Sequence, residues 1–510
     1  MNTPYLRRNI LITTATCVLI ILFYGPTDNW VWDPSYYYTQ LRAPVINHSL
    51  DLRAGTQPTN NYRTARGLQP SQWPIGPGIL WSPFFIATDL LVRWFGAPQL
   101  ANGISWPYIA AVSAGSALYG LLGVLIIYRT CRVFTSRGPA SIAALLALCA
   151  SPLFYYTFRQ PIMAHSTSIF AMALLMYVCV AYDQGTIALR HSGLLIGAML
   201  GLNMILRWIG LSALLLPLTL YAASVTDAWR VHNTPRLRQL ALQALIASVT
   251  VLAIVTPQLA VWHGVYGSWL IIPIQGFSRS ALPEHLLDLF VHTNRGILWW
   301  APAILIGMLG LYRVQPPRLR TAILVYLAGY LYVLGTWQVW YGGGGYGPRF
   351  FIETLPCTAL GCALLLQRFW AARTTRLVAY TATAVLVLHQ WMLMVIVERT
   401  WLPFEAYFTG KPLGFAYQFQ GATHLLSQPL ELFRARPGIV ANRQAAIANI
   451  LNGQSSWHFY ALPLVAIGII VIGLGLFNRV AKRSRIVPAT ALLTSFMLGW
   501  FFFLFTLSPL

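Results

Sequence analysis

Acidic residues are scarce in this chain. Twelve Asp and Glu stand among 510 residues, against 34 Lys and Arg, and both signs together make up only 9%. A soluble domain carries about 25% charged residues. With 57% hydrophobic residues and a mean hydropathy of +0.60, the composition is that of a polytopic membrane protein. The formal net charge of +22 does not point to nucleic acid, because the basic residues sit between apolar segments, as in cytoplasmic membrane loops. Cysteine is equally sparse. Cys17, Cys131, Cys149, Cys179, Cys357 and Cys362 all lie in apolar runs without metal-ligand spacing, so they read as small core hydrophobes and not as a disulfide framework.

Other absences narrow the function. The tract Gly342–Gly345 lacks the following Lys-Ser/Thr of a phosphate-cradling loop, and there is no Gly-x-Ser-x-Gly and no His/Cys cluster. No metal or other cofactor is therefore expected. Paired interrupted helices, the mark of many transporters, do not stand out, nor do the apolar segments carry a set of mid-membrane acids for proton relay.

Apolar segments predict the topology. Arg7 and Arg8 precede Ile10–Tyr24, expected as a retained first span with the N-terminus in the cytoplasm. Gly78–Phe95 is apolar enough to cross, yet Ser82, Asp89 and Arg93 share one helical face, which predicts a helix lying in the outer interface. Asp89 and Arg93, four apart, are placed to pair. Spans then follow at Pro107–Tyr128, Pro139–Phe158, Ser166–Tyr182, Ser192–Leu206, Trp208–Ala223, Leu240–Trp262, Gly296–Tyr312, Thr321–Trp337, Phe350–Gln367, Leu377–Val397, His458–Phe477 and Pro488–Leu507. The fold class is thus all-α, with about thirteen transmembrane helices. Five basic clusters, from Arg129/Arg132/Arg137 to Arg479/Lys482/Arg483/Arg485, fall inside in this arrangement and outside if Gly78–Phe95 crosses. Three parts are expected: residues 1–397 with a long first outer loop over 25–106, an outer hydrophilic segment over 398–456, and two C-terminal helices over 457–510.

The acids separate by side. Asp183 and Asp227 fall in the cytoplasm, and the other ten, Asp33, Asp51, Asp89 and Glu353 among them, face outward. The outer edge also holds Arg159, Arg207, Arg295 and Arg349, with His165, His263 and His292 nearby. Arginine there breaks the charge bias, and its planar fork suits phosphate. Singly, such arginines more often snorkel to headgroups, and such histidines more often hydrogen-bond at the interface. As a set beside the aromatic loop Trp30–Phe85, they predict a phosphorylated lipid substrate.

Three stretches carry a resemblance. They are WDPSYYYTQLRAP with the later SLDL, NNY and WPIGPGILWSPFF; RGILWWAPAILIGMLGL over Arg295–Leu311; and WQVWYGGGGYGPRFFIETLP over Trp337–Pro356. Together they resemble the GT-C glycosyltransferases, in particular bacterial relatives of the protein O-mannosyltransferases and of the lipid A aminoarabinose transferase (glycosyltransferase family 39-like). The resemblance runs to about Gln367 and fades beyond Glu398. It implies that Asp33 is the catalytic base. The family usually has a second acid directly after it, where this chain has Pro34, which leaves Asp51 or Asp89 as candidate supporting acids. Asp33 before Pro34 is also a helix N-cap signature, and the two roles are compatible.

From the compartment follows a donor delivered across the membrane, a polyprenyl-phosphate sugar, with a glycan, lipid or protein acceptor. Arg349, Arg295 and Arg207 are the expected phosphate contacts. Tyr37, Asn61, Tyr62, Trp340, Tyr346 and His165 are the further candidates for substrate binding, although aromatic belts account for many interfacial Trp and Tyr. The expected reaction is sugar transfer with inversion on the periplasmic face of a bacterial inner membrane. A flippase or exporter of lipid-linked glycans, using the same arginines without chemistry, is the alternative. The topology is tested by a cysteine placed within Arg129–Arg137 in a chain lacking Cys131. It should resist a membrane-impermeant thiol reagent applied from outside, and ready labelling would overturn the arrangement.

Overall fold

The computed structural model describes residues 33–54, 62–95, 98–271, 282–398 and 415–428. Its first element is helix α1, Asp33–Asn47, which opens the outer loop. Pro77 near the start of the next helix, α2 (Gly76–Trp94), has the fixed φ that a first helical turn needs. The aromatics between them are packed inside. Tyr37 meets Trp81 edge-on, Tyr38 meets Phe85, and the Tyr38 hydroxyl donates to the carbonyl of Gly103 at 2.7 Å. The loop is therefore a docked cap and not an open aromatic surface.

Within α2 the expected polar stripe divides. Arg93 is exposed and bonds Asp89 at 2.8 Å, as its spacing predicts. Ser82 is buried instead, and its hydroxyl is satisfied by the carbonyl of Ile79 in its own helix at 2.7 Å.

The helical bundle consists of α3 (Trp106–Phe134), α4 (Arg137–Cys149), α5 (His165–Asp183), α6 (Leu189–Leu206), α7 (Leu215–Arg230), α8 (Thr234–Tyr266), α9 (Pro302–Gly310), α10 (Pro317–Gly335), α11 (Leu355–Phe369) and α12 (Arg373–Glu398). A last helix, α13 (Phe415–Ser427), packs on the end of α12. There is no β-strand among the described residues. The longest helix shows its own start and stop signals: the Asn233 side chain accepts from the Arg236 N–H, and Gly267 ends α8 at φ 80°.

Seven described helices are long and apolar enough to cross a membrane: Pro107–Phe134, His165–Asp183, Leu189–Leu206, Trp208–Arg230, Thr234–Tyr266, Arg349–Phe369 and Arg373–Val397. They mark the chain as a multi-pass membrane protein. Ile10–Tyr24, His458–Phe477 and Pro488–Leu507 lie outside the described residues. Two expected spans are not single helices. Pro139–Phe158 ends as α4 at Cys149 and resumes as a π-helical turn, Tyr155–Arg159, because Pro152 has no N–H and the Ser151 hydroxyl bonds back to Ala147. Gly296–Tyr312 is broken at Ala301, just before Pro302.

Helix α5 is the centre, with 94% of its apolar window buried, whereas only 17% of that of α8 is, which leaves α8 at the lipid-facing edge. Close approach is set by glycine. Gly193, Gly197 and Gly201, spaced by four, form one stripe of α6 against α8, and a Cβ at Gly197 would stand 2.5 Å from the carbonyl oxygen of Ala247. The chain then reverses where the spans Ser192–Leu206 and Trp208–Ala223 are expected to meet. Arg207 is extended (φ −153°, ψ 144°), a 3₁₀ segment Trp208–Leu214 follows, and Gly210 lies against the backbone of Asn203.

A Gly197→Leu exchange should lower the midpoint of thermal unfolding in detergent, since overpacking costs about 1–3 kcal/mol even where the backbone can move. Leu194→Ala, at an exposed position of the same helix, should leave it nearly unchanged. Equal midpoints for the two variants would show that α6 and α8 do not meet along this stripe.

Candidate active site

Three separate segments converge on two buried ion pairs. The first joins α1 to the glycine-rich loop: Nη1 of Arg349 lies 2.9 Å from Oδ2 of Asp33, with both side chains largely buried. The second joins the α6–α7 reversal to the segment after that loop, where Arg207 Nη1 contacts Oε1 of Glu353. Both guanidinium groups lie over the ring of Phe350, at 5.1 Å for Arg207 and 5.2 Å for Arg349, which puts them within about 10 Å of each other.

Local backbone explains the partners. Ordinary helical spacing would couple Arg349 to Glu353, four residues on. Arg349–Thr354 is instead a 3₁₀ segment, in which i and i+3 eclipse and i+4 turns away. Arg349 is free to meet Asp33, and Glu353 points to Arg207. The glycines before it matter for space. A Cβ at Gly345 would stand 2.8 Å from both Cδ and Nε of Arg349, and Gly342 has φ 81°. Asp33 is itself the first residue of α1.

Glu353 is fully satisfied. Its Oε1 also accepts from Ser168 Oγ at 2.7 Å, its Oε2 from the Tyr330 hydroxyl at 3.0 Å, and its carbonyl from the Tyr326 hydroxyl at 3.1 Å. Nη1 of Arg207 additionally lies 3.1 Å from Nδ1 of His165. A guanidinium can only donate, so Nδ1 accepts and the proton of a neutral ring sits on Nε2. His165 thereby orients Arg207 and is itself packed on Tyr156, ring centres 4.2 Å apart.

Of the other sequence candidates, Tyr37 belongs here. It stands one turn beyond Asp33 on the same face of α1, within electrostatic reach of Arg207, Asp33, Arg349 and Glu353. Burial raises its pKa above the ordinary tyrosine value, so the hydroxyl stays protonated.

The remaining candidates are placed elsewhere. Arg295 is buried and donates to the Asn294 side chain at 2.6 Å and to the carbonyls of Gly343 and Gly345 at 3.2 and 3.0 Å, bracing the glycine loop. Tyr346 stacks on Tyr155 at 4.6 Å and bonds the Gln390 backbone. Trp340 packs between His285 and His292. Asp51 closes the outer loop by accepting from the backbone N–H of Arg53 and of Gln69, both at 3.1 Å. Asp89 accepts from the Tyr108 hydroxyl at 2.6 Å besides its bond to Arg93. Tyr62 is 58% exposed, and Asn61 lies outside the described residues. Among the described residues no group of three or more His, Cys, Asp or Glu is placed to hold a metal ion. A small cavity of about 20 Å³ lies between α1 and α8, and another of about 60 Å³ is lined by Phe154, Tyr155, Tyr346 and the α12 residues Val387, Trp391 and Met394.

Sequence reasoning left out Glu353, Ser168 and Tyr330. The one signal is Glu353 itself, an outer acid in a chain with few; helical spacing alone would pair it with Arg349, and the 3₁₀ segment turns it to Arg207. Breaking a buried pair from one side leaves a charge uncompensated and costs about 3–5 kcal/mol. Glu353→Ala should therefore lower the unfolding midpoint by several degrees in detergent, and a midpoint like that of the parent chain would place Glu353 in contact with solvent.

No family model matches the chain, and no curated protein matches it. Solved structures do. The crystal structure of ArnT from Cupriavidus metallidurans bound to undecaprenyl phosphate superposes with a TM-score of 0.52 and 14% identity, over 96% of this chain and 80% of that one. The archaeal oligosaccharyltransferase AglB from Archaeoglobus fulgidus, in complex with an inhibitory peptide and a dolichol-phosphate, gives a TM-score of 0.47 at 15% identity, and this chain spans 58% of it. With the ArnT superposition over nearly the whole chain, this chain shares the fold of that protein.

Proposed function

We propose that the protein transfers a sugar from a polyprenyl-phosphate-linked donor to an acceptor hydroxyl on the outer, periplasmic face of a bacterial inner membrane, with inversion at the sugar carbon. The observation that carries this reading is the Asp33–Arg349 pair: the membrane-exit carboxylate and the arginine of the glycine loop, distant in sequence, meet at 2.9 Å beside a second arginine. The likeness in fold to ArnT, whose structure holds undecaprenyl phosphate, supports the donor class.

The chemistry follows from the two pairs. Asp33 takes the proton of the acceptor hydroxyl as its oxygen bonds to the anomeric carbon. The bond from that carbon to the phosphate oxygen breaks, and the polyprenyl phosphate leaves with the electron pair. General-base help of this kind is worth about 10²–10⁴ in rate. Arg349, with Arg207 across the Phe350 ring, balances the growing charge on the leaving phosphate, as preorganised donors do in an oxyanion hole. Asp33 is paired with Arg349. A donor phosphate competes for the same guanidinium, so its arrival frees a carboxylate oxygen for the acceptor. Tyr37, protonated and beside both charges, donates a hydrogen bond to the sugar or phosphate.

Release of polyprenyl phosphate by purified enzyme tests the reaction, since a flippase or exporter produces none. Asp33→Asn should stay folded, bind donor and lose transfer by at least about 10²-fold, in line with the worth of a general base. Arg349→Lys keeps the charge without the fork and should retain partial activity. Arg349→Ala should lose most activity with weaker donor binding. A near-normal rate for the Asn variant would move the base elsewhere, and unchanged donor affinity in the Ala variant would make Arg349 structural.

A further inference from the structure

The connection from the end of α8 to Asn294 turns apolar side chains outward. Trp269, Leu270, Leu282, Leu286, Leu287 and Val291 are all exposed, Leu270 by 75% and Leu287 by 70%. A single exposed leucine is ordinary on any protein, but six within residues 268–270 and 282–291 make a patch, and a patch marks a membrane or a partner. The histidines of the same connection point the other way. His285 stacks on Trp340 with ring centres 5.7 Å apart, and its Nδ1 lies 3.0 Å from Oδ2 of Asp288. His292 meets Trp340 edge-on at 4.9 Å. The backbone is fastened too: the His285 N–H donates to the carbonyl of Gly335 at 2.9 Å, and Trp299 Nε1 to that of Val291 at 2.8 Å. Polar contacts thus hold the chain to the protein and leave its apolar side uncovered. A surface facing water has the opposite arrangement.

The patch sits where long helices end on the side of the bundle that carries the site. The Trp269 ring folds back on His263 in the last turn of α8, stacked at 4.3 Å. Pro283 and Leu286 lie against Gly335, the last residue of α10, where a Cβ would stand 2.8 Å from that of Pro283. The lipid-facing side of α8, with Leu245, Val249 and Leu252 exposed along one stripe, therefore ends at this connection. Tryptophan at such a boundary is the common interfacial anchor. Charge narrows the partner further. The described part of the connection carries Glu284 and Asp288, and no Lys or Arg before Arg295. Anionic headgroups would gain nothing from it, so attraction comes from apolar area alone.

We infer that this connection is a second bilayer contact, separate from the spans: its tryptophan and leucines enter the boundary between headgroups and acyl chains of the leaflet on the site's side. Arg295 follows Val291 by four residues and holds the carbonyls of Gly343 and Gly345. The lipid contact thereby keeps the glycine loop at the height of the headgroups. Collision rates of spin labels with oxygen and with a water-soluble nickel chelate test it. Labels go on Leu270→Cys, Leu287→Cys and Val291→Cys, in a chain whose own cysteines are replaced by alanine, in nanodiscs holding one chain each. One chain per disc removes a second copy as the cover. All three labels should favour oxygen over the chelate, as a label on Leu252→Cys in α8 should. A label on Arg53→Cys, whose parent side chain is 52% exposed after α1, should show the reverse. The preference should be the same in neutral phosphatidylcholine and with phosphatidylglycerol added. The contact is overturned if the three labels behave like the one at Arg53, or if they favour oxygen only with the anionic lipid. Hydroxyl-radical footprinting of the unaltered chain in the same discs needs no substitution. Trp269 and Leu287 should be spared while the exposed His48 is oxidised, and oxidation of both in proportion to their exposure would equally overturn the contact.

Discussion

Burying a guanidinium in a membrane protein is the constraint on which the site depends. An isolated charge taken out of water costs several kcal/mol even after relaxation, so a buried arginine needs a carboxylate or several hydrogen-bond acceptors. This chain has only twelve carboxylates, and it places two of them beside Arg207 and Arg349. Each pair joins segments far apart in sequence: Arg349 ties the glycine loop to α1, and Arg207 ties the α6–α7 reversal to the segment before α11. The two pairs therefore fasten the outer cap to the bundle and assemble the site in the same contacts.

The pairs differ in how completely they are closed. Glu353 accepts from Arg207, Ser168 and Tyr330, and Arg207 is held in addition by His165. That set is saturated by the protein. Asp33 and Arg349 form the simpler couple, and among the described residues the buried Nε of Arg349 has no hydrogen-bond partner. A saturated pair gives a fixed positive edge, while the couple with an unused donor is the one a phosphate can enter. In the proposed reading this contrast would make Arg207 the supporting arginine and Arg349 the one that meets the phosphate, a distinction the residue types alone do not carry.

Much of the architecture was legible in the sequence because it follows from length and apolarity. The long helices, the reversal at Arg207 and the pairing of Asp89 with Arg93 all come from local rules. The packing of the first loop is not legible in the sequence, because its Tyr and Trp are equally suited to an exposed surface and to a packed cap, and only tertiary contact with Trp81 and Phe85 decides. Arg295 shows the same limit. Its planar fork suits a phosphate, but it suits the carbonyls of Gly343 and Gly345 equally well. The partner of Glu353 is not legible for a sharper reason: the segment is 3₁₀, and composition does not distinguish that from α-helix over six residues.

The site also lies where the helices fail. Arg207 is an extended residue between two helical segments, and Arg349 opens a 3₁₀ segment after a glycine turn. Tyr156 sits in a π-helical turn, and His165 begins α5 after an interruption. Irregular backbone at membrane depth is tolerated only where protein or a polar cavity satisfies its N–H and C=O groups. Four interruptions spread over the bundle would each need separate compensation. Brought together, they share one polar region, in which Tyr156 donates to the Tyr346 carbonyl, Tyr330 to Phe350 and Tyr326 to Glu353. The same gathering that makes broken helices affordable concentrates arginine, carboxylate and hydroxyl groups at one place, so the polar site is the consequence of where this bundle is interrupted.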